Sequence, residues 1–236
     1  MPRRRTATEP SDKTHLPSGL STIRSLPHAY LARRYAILFY TLVFTIVISP
    51  VTAALGLTGD LIEALLAVSL IAAVTSVTSP RTRNVLLAIV LALWLARHVT
   101  AWTGHPTLSH LLLSAWTLIG LLAAVAALRF AMRGVKVDAE HLYAALSAYL
   151  LAGVYFGLLY WVLEDIQPGT FVATNFSRSA AIYYSFVTLS TIGYGDIVPK
   201  SDVARGFAVI EGVGGQLFLA VLVARLMTLY HGSRQD

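Results

Sequence analysis

The sequence predicts an all-α membrane protein, with six transmembrane helices and a re-entrant short helix and glycine-bearing loop between the fifth and sixth. Three observations carry that prediction. Hydrophobic residues make up 56% of the 236 and charged residues only 13%, too few charges for an ordinary soluble surface of this length. Six apolar segments recur along the chain, each near the ~20 residues that a helix needs to cross a bilayer. Between the last two lies a polar stretch ending in Thr191-Ile192-Gly193-Tyr194-Gly195-Asp196.

The chain opens on a basic tail. Residues 1–34 carry Arg3-Arg4-Arg5, four prolines and many hydroxyl side chains, and read as a solvated, disordered cytoplasmic segment. No apolar run of a signal peptide precedes about Tyr35. The formal net charge of +6 raises the question of nucleic acid. The basic residues sit beside apolar segments rather than on a basic face of their own, so no nucleic-acid partner is expected. Cysteine is absent, which removes disulfides, thiolate metal sites and thiol redox switches.

The six segments cover residues 35–57, 61–78, 84–102, 107–131, 140–163 and 202–230. Gly59 and Asp60 break the first from the second, and Ser79-Pro80-Arg81 the second from the third. Gly104 and Pro106 separate the third from the fourth; Gly134 and Lys136 fall in a cytoplasmic linker, 132–139, before the fifth. The short second segment has an alternative reading as a re-entrant hairpin partner, which charge placement disfavours. Seven basic residues precede the first segment, Arg81 and Arg83 follow the second, Arg129, Arg133 and Lys136 end the fourth, and Arg225 and Arg234 end the sixth. The opposite connections carry Asp60, Glu63, Glu164 and Asp165. That alternation places both termini in the cytoplasm of a multi-pass protein of the cell membrane. Residues 35–131 then form a four-helix membrane domain, and 140–236 a second domain.

Within the second domain, residues 164–176 read as an outer loop. Ser177 or Ser179 caps a short helix over about 180–190, whose C-terminal end favours a cation near the bilayer centre. Gly193 and Gly195 alternate with larger residues and reach left-handed backbone angles at little steric cost, so successive carbonyls can face one way. Closed into a ring by other copies, such carbonyls replace the water shell of a potassium ion; the filter sequence that serves as the general example of this chemistry differs from 191–195 only in having Val for Ile192. Asn175-Phe176-Ser177 fits a glycosylation site formally and is read as a chance match.

With those residues in place, the chain from about Glu140 to its end resembles the pore module of tetrameric potassium channels. Arg205 follows Asp196 at that family's usual distance, and Gly215 falls where its members carry a hinge glycine. The resemblance implies that the carbonyls of Thr191, Ile192, Gly193 and Tyr194 hold potassium, with the Thr191 hydroxyl closing the inner site. It places Gly195 and Asp196 at the outer mouth. It gives Tyr184 the pore-helix position of an aromatic that braces the filter, while Val187 stands where some relatives have an acid. The first four helices resemble six-transmembrane members only in number and topology. Between its ends the fourth segment has no basic residue before Arg129, so the arginine ladder of a voltage sensor is missing. One charge crossing the field is worth only about 2.3 kcal/mol per 100 mV, so several would be needed.

In the last segment Gln216, Ala220, Val223 and Met227 recur at helical steps and share one face. Two readings stay open for this stripe, lining a watery cavity and gate or packing on the outer helix. Gly212, Gly214 and Gly215 serve close packing or a hinge. Glu211 supports the filter from behind, either as a titrating gate or as a satisfied structural acid. Ser185, Thr188 and Arg205 are its candidate partners. Arg97 is expected to pair with Glu63 or snorkel outward, with a regulatory or ligand-binding role as the alternative. His105 and His110 sit near the outer end as interfacial residues or pH sensors, and Trp102 and Trp161 as interfacial anchors.

The expected function is passive potassium conduction through a homotetramer in contact with membrane lipids, without a cofactor and without enzymatic chemistry. Its ligands are hard oxygen dipoles suited to an alkali cation. Only six residues follow Tyr230, too few for a cytoplasmic ligand-binding domain. The rival readings are a pore subunit of a potassium uptake system, which usually carries four unequal copies in one chain, and a receptor that keeps a non-conducting filter.

Overall fold

The computed structural model describes residues 33–55, 59–75, 80–103, 106–133 and 139–232. Seven helices and one minimal sheet are found among them. The helices are α1 (Arg34–Ala54), α2 (Gly59–Thr75), α3 (Pro80–Thr103), α4 (Pro106–Arg133), α5 (Ala139–Ile166), α6 (Arg178–Leu189) and α7 (Asp202–Gly232). The strands β1 (Phe171–Val172) and β2 (Val198–Pro199) pair antiparallel, Phe171 opposite Pro199 and Val172 opposite Val198. The N-terminal tail, the 134–138 linker with Lys136, the side chains of Glu63 and Trp102, His105 and Arg234 lie outside the described residues.

Among the described residues, four stretches are long and apolar enough to cross a membrane: Arg81–Thr100, Thr107–Arg133, Ala139–Ile166 and Asp202–Met227. Two shorter apolar stretches, Arg34–Ile48 and Ala64–Thr75, belong to α1 and α2. The described residues are mostly helical, and the chain is a multi-pass membrane protein. Proline stands at the first position of α3 and α4, where its missing amide costs no intrahelical bond. Gly59 and Asp60, expected as a break, instead begin α2, while α1 ends at Ala54. A helix start leaves its first amides free in any case, so a poor helix former is tolerated there.

The main core lies between α1, α2, α4 and α5, where Leu38, Leu42, Leu70, Leu151, Val154 and Tyr155 are fully buried. Helix α5 is the central element, touching α1, α4, α6 and α7. Close approach to α4 depends on Gly120, because a Cβ there would lie 2.2 Å from the Tyr155 ring. Polar groups join the helices where apolar packing alone has little driving force in lipid. The Thr45 and Ser69 hydroxyls meet at 3.2 Å between α1 and α2. At the opposite end of α5, Glu140 accepts the Tyr35 amide at 3.0 Å and so satisfies a free donor at the start of α1. His110 at the start of α4 meets Asp165 at the end of α5, Nε2 to Oδ2, at 2.8 Å.

The stretch expected as an outer loop is more ordered than that. Helix α5 runs on to Ile166, and Glu164 near its end folds the next turn back on itself. The Glu164 carboxylate accepts the amides of Gly169 at 2.8 Å and Phe171 at 2.9 Å. Gly169 sits at φ +86°, a left-handed angle suited to glycine. Just before β1, the Thr170 carbonyl accepts the Lys200 amide at 2.7 Å, which ties the segments before and after α6 together.

Candidate ion-conduction site

Ser177, one of the two expected caps, begins α6; its side chain accepts the Ala180 amide at 3.2 Å. Arg178 follows, with its guanidinium 4.4 Å from the Trp161 ring centroid, so Trp161 is engaged by a cation rather than serving as an interfacial anchor alone. The buried face of α6 holds Ala181, Ile182, Tyr184, Ser185, Val187 and Leu189. It lies unusually close to α5. A Cβ on Gly157 would fall 2.5 Å from the Ile182 Cα, and one on Gly153 would fall 2.4 Å from the Phe186 ring. These two glycines, a helical turn apart, make the groove in which α6 rests.

At its C-terminal end α6 turns into 191–196. The Ser190 amide returns to the Phe186 carbonyl at 3.0 Å, Thr191 to Thr188 at 3.0 Å, and Ile192 to Val187 at 2.9 Å. Thr191, Gly193 and Gly195 take φ of +57°, +59° and +79°. The glycines were expected there; the threonine was not, because a β-branched residue rarely adopts that region. Left-handed residues thus alternate with ordinary ones, and the first amides of the segment are consumed by α6. Among the described residues, no hydrogen bond falls on the carbonyls of Thr191, Ile192, Gly193 or Tyr194. All six residues from Thr191 to Asp196 are exposed on the single chain.

The supporting residues occupy distinct places. Tyr184 is buried and packs edge-on against Tyr160 and Phe171, with centroids at 5.0 and 5.3 Å. That cluster faces α5 and β1. Its neighbour Tyr183 is instead exposed. Ser201 caps α7, accepting the Ala204 amide at 3.2 Å. Arg205 binds the Pro199 carbonyl at 3.2 Å and lies 3.6 Å from Asp202, so it is not a partner of Glu211.

Glu211 is only 1% exposed. Its carboxyl meets Ser185, one of the expected partners, and accepts from the Tyr160 hydroxyl at 2.6 Å, which was not expected. A signal for Tyr160 existed: it follows Gly153 and Gly157 on one face of α5, and a tyrosine hydroxyl in an apolar segment needs a partner. Farther along α7, Gln216, Ala220, Val223 and Met227 are all exposed on the single chain, while Phe218 and Leu222 turn towards the core. The Gln216 amide nitrogen comes within 3.4 Å of the Thr191 hydroxyl. Helix α7 is continuous through the glycines. A Cβ on Gly215 would lie 2.6 Å from the Leu189 carbonyl, so close packing requires glycine there; around Gly214 there is open space. Arg97 lines a narrow cleft with Trp94, Trp116 and Arg178, and its expected pairing with Glu63 falls outside the described side chains.

A short helix packed into a glycine groove, a turn with unbonded carbonyls and a long partner helix therefore follow one another along residues 178–232. Residues 145–231 match the family model described as Ion channel. Similar proteins are potassium channels. The two-pore potassium channel 2 of Arabidopsis thaliana is 35% identical over 85 residues, 36% of this chain and 18% of that protein. The A-type voltage-gated potassium channel KCND3 of rat and of human is 31% identical over 78 residues, 31% of this chain and 12% of that protein. The chain therefore spans less than a fifth of the length of the curated relatives it matches.

Proposed function

We propose that the protein is the subunit of a potassium-selective channel that conducts passively through a pore made by four copies. The observation that carries this reading is the backbone of 191–195, with its alternate left-handed angles and unbonded carbonyls after an α6 whose own carbonyls take up the segment's amides. Four such segments around one axis present rings of oxygen to a dehydrated cation, with the Thr191 hydroxyl at the inner end. The negative C-terminal end of α6 adds a favourable potential below those rings. One chain supplies one strand of the ring, so the pore requires assembly. Exposed Val209, Ile210, Val213 and Leu217 on α7 supply an apolar face consistent with it.

In this reading α1 to α5 and α7 are the six membrane spans, α6 is the re-entrant pore helix, and both termini lie in the cytoplasm of a plasma-membrane protein. Residues 35–131 form the four-helix domain and 140–236 the pore domain. Gln216 and Ala220 line the cavity, Val223 and Met227 narrow its cytoplasmic end, and Gly214 is the glycine left free to hinge. No voltage-sensor ladder drives opening, and membrane lipids surround the assembly. Potassium is the transported ion and no cofactor enters the reading.

Purified protein in planar bilayers tests it, with potassium on one side and sodium on the other. Potassium and rubidium should permeate far better than sodium. A reversal potential near zero overturns the selectivity, and an absence of any current in reconstituted tetramers overturns the channel.

A further inference from the structure

The three oxygen contacts around Glu211 cannot all be made by an ionised carboxylate. Tyr160 Oη lies 2.6 Å from Glu211 Oε2. Ser185 Oγ contacts Glu211 Oε1 and also lies 2.6 Å from the Gly153 carbonyl oxygen. Each contact needs one proton between its two oxygens. A backbone carbonyl and an ionised carboxylate only accept, whereas each hydroxyl contributes one proton. Tyr160 and Ser185 therefore provide two protons for three contacts. The third can come only from the carboxyl itself.

We propose that Glu211 is a neutral acid in the folded channel, donating from Oε1 to Ser185, which donates in turn to Gly153. This proton-ordered chain positions the filter. It joins α7, α6 and α5 in series, and Tyr160 closes it by donating to the other carboxyl oxygen. All three protons are then used, and each of the four groups, Glu211, Ser185, Tyr160 and Gly153, has its partner. The Gly153 carbonyl retains a lone pair for this purpose even while it serves its own helix.

The surroundings agree with a neutral group. Tyr149 on α5 and Tyr184 on α6 are the other titratable side chains facing it. Arg205, six residues earlier on α7, is engaged with Pro199 and Asp202. Among the described residues no basic side chain pairs with Glu211, and a buried carboxylate without a cation is costly. The chain also acts where the filter begins. Ser185 lies two residues before Val187, whose carbonyl receives the amide of Ile192. The depth at which Ser185 is held therefore sets the height of the first filter carbonyls.

The positioning role rests on the channel reading above, but the protonation state has a test of its own. Infrared spectroscopy of the reconstituted parent should contain a protonated-carboxyl stretch that shifts in D2O and is lost in Glu211→Gln. Absence of such a band overturns the neutral acid whether or not the protein conducts. For the role, potassium flux into vesicles is compared among tetrameric parent, Glu211→Ala and Glu211→Gln. Alanine leaves the Tyr160 hydroxyl without its acceptor and breaks the link from Ser185 to α7, and should lower flux by roughly tenfold or more. The glutamine amide donates to Ser185 and accepts from Tyr160, and should recover most of that loss. Glutamine as damaging as alanine, or alanine as active as the parent, overturns the positioning role. Parent protein that shows the band but carries no flux refutes the channel reading and leaves the neutral acid standing.

Discussion

Replacing Gly157 with alanine tests how the depth of the pore helix is set. The new Cβ would lie 2.5 Å from the Ile182 Cα and 3.0 Å from the Ile182 amide nitrogen, both backbone atoms that no rotamer change can move. Carbon atoms in contact prefer roughly 3.5–4.0 Å, so α6 must withdraw by about 1 Å. The hydrogen bond from Ser185 to Gly153, one turn away on the same groove, spans 2.6 Å. Lengthened by that withdrawal it reaches about 3.6 Å, beyond a hydrogen bond. Overpacking costs about 1–3 kcal/mol, and alanine returns about 1 kcal/mol in helix propensity. The lost buried bond adds about 1 kcal/mol, leaving a net penalty of about 1–3 kcal/mol concentrated at the filter's support. The expected result is a tetramer of slightly lower thermal stability with potassium flux reduced by about tenfold, the change that 1.4 kcal/mol produces. Cross-linking reports the assembly and ion flux into vesicles reports the pore. A tetrameric Gly157→Ala protein with parental flux and reversal potential would refute the idea that this contact fixes the depth of α6.

Two further outcomes follow from the backbone of the filter and the composition of α4. Gly193 holds φ +59° with open space where a Cβ would stand, so Gly193→Ala meets no clash within the chain and loses only conformation, at a cost of about 1–2 kcal/mol per subunit; flux should be abolished while cross-linking still finds tetramers, and parental flux would count against the filter assignment. Gating charge measured from the steepness of the conductance–voltage relation should be near zero, because α4 holds its basic residues, Arg129 and Arg133, at one end; a steepness of several elementary charges would show that residues 107–131 had been misread.

What could be read in the sequence was local. Apolar length marked the helices, Ser177 or Ser179 marked the start of α6 to within two residues, and the glycines of 191–196 marked a backbone with left-handed turns. Each of those signals lies within a few residues of the structure it specifies. The features that escaped reading join distant positions. Tyr160 and Glu211 are 51 residues apart, and their contact exists only because α5 and α7 both pass behind α6. Glu164 looked like one more outer acid until β1 brought the Gly169 and Phe171 amides to its carboxylate. His110 had no visible partner because Asp165 reaches it through the antiparallel packing of α4 on α5. The left-handed Thr191 was equally hidden, since intrinsic preference opposes it and only the bonding of neighbouring amides to α6 holds it there.

The division of labour between glycine and acid around α6 has a physical reason. A helix of 12 residues is too short to be fixed by its length across a bilayer, and apolar side chains gain little by meeting one another rather than lipid. Gly153 and Gly157 permit close approach, which secures dispersion contacts but leaves α6 free to slide along the groove. Hydrogen bonds from one side chain to two other helices remove that freedom, because sliding by a fraction of a turn breaks them. A serine alone reaches one acceptor. Serine with a neutral acid reaches two helices in series, and the acid does so without importing a charge that would need a cation beside the ion path. Aspartate at the same position would fall short of Ser185 or Tyr160 by one methylene, and an amide would replace the acid with the same number of contacts. The arrangement thus explains why a carboxyl group can sit in the apolar middle of α7, and why its neighbours are hydroxyls rather than arginines.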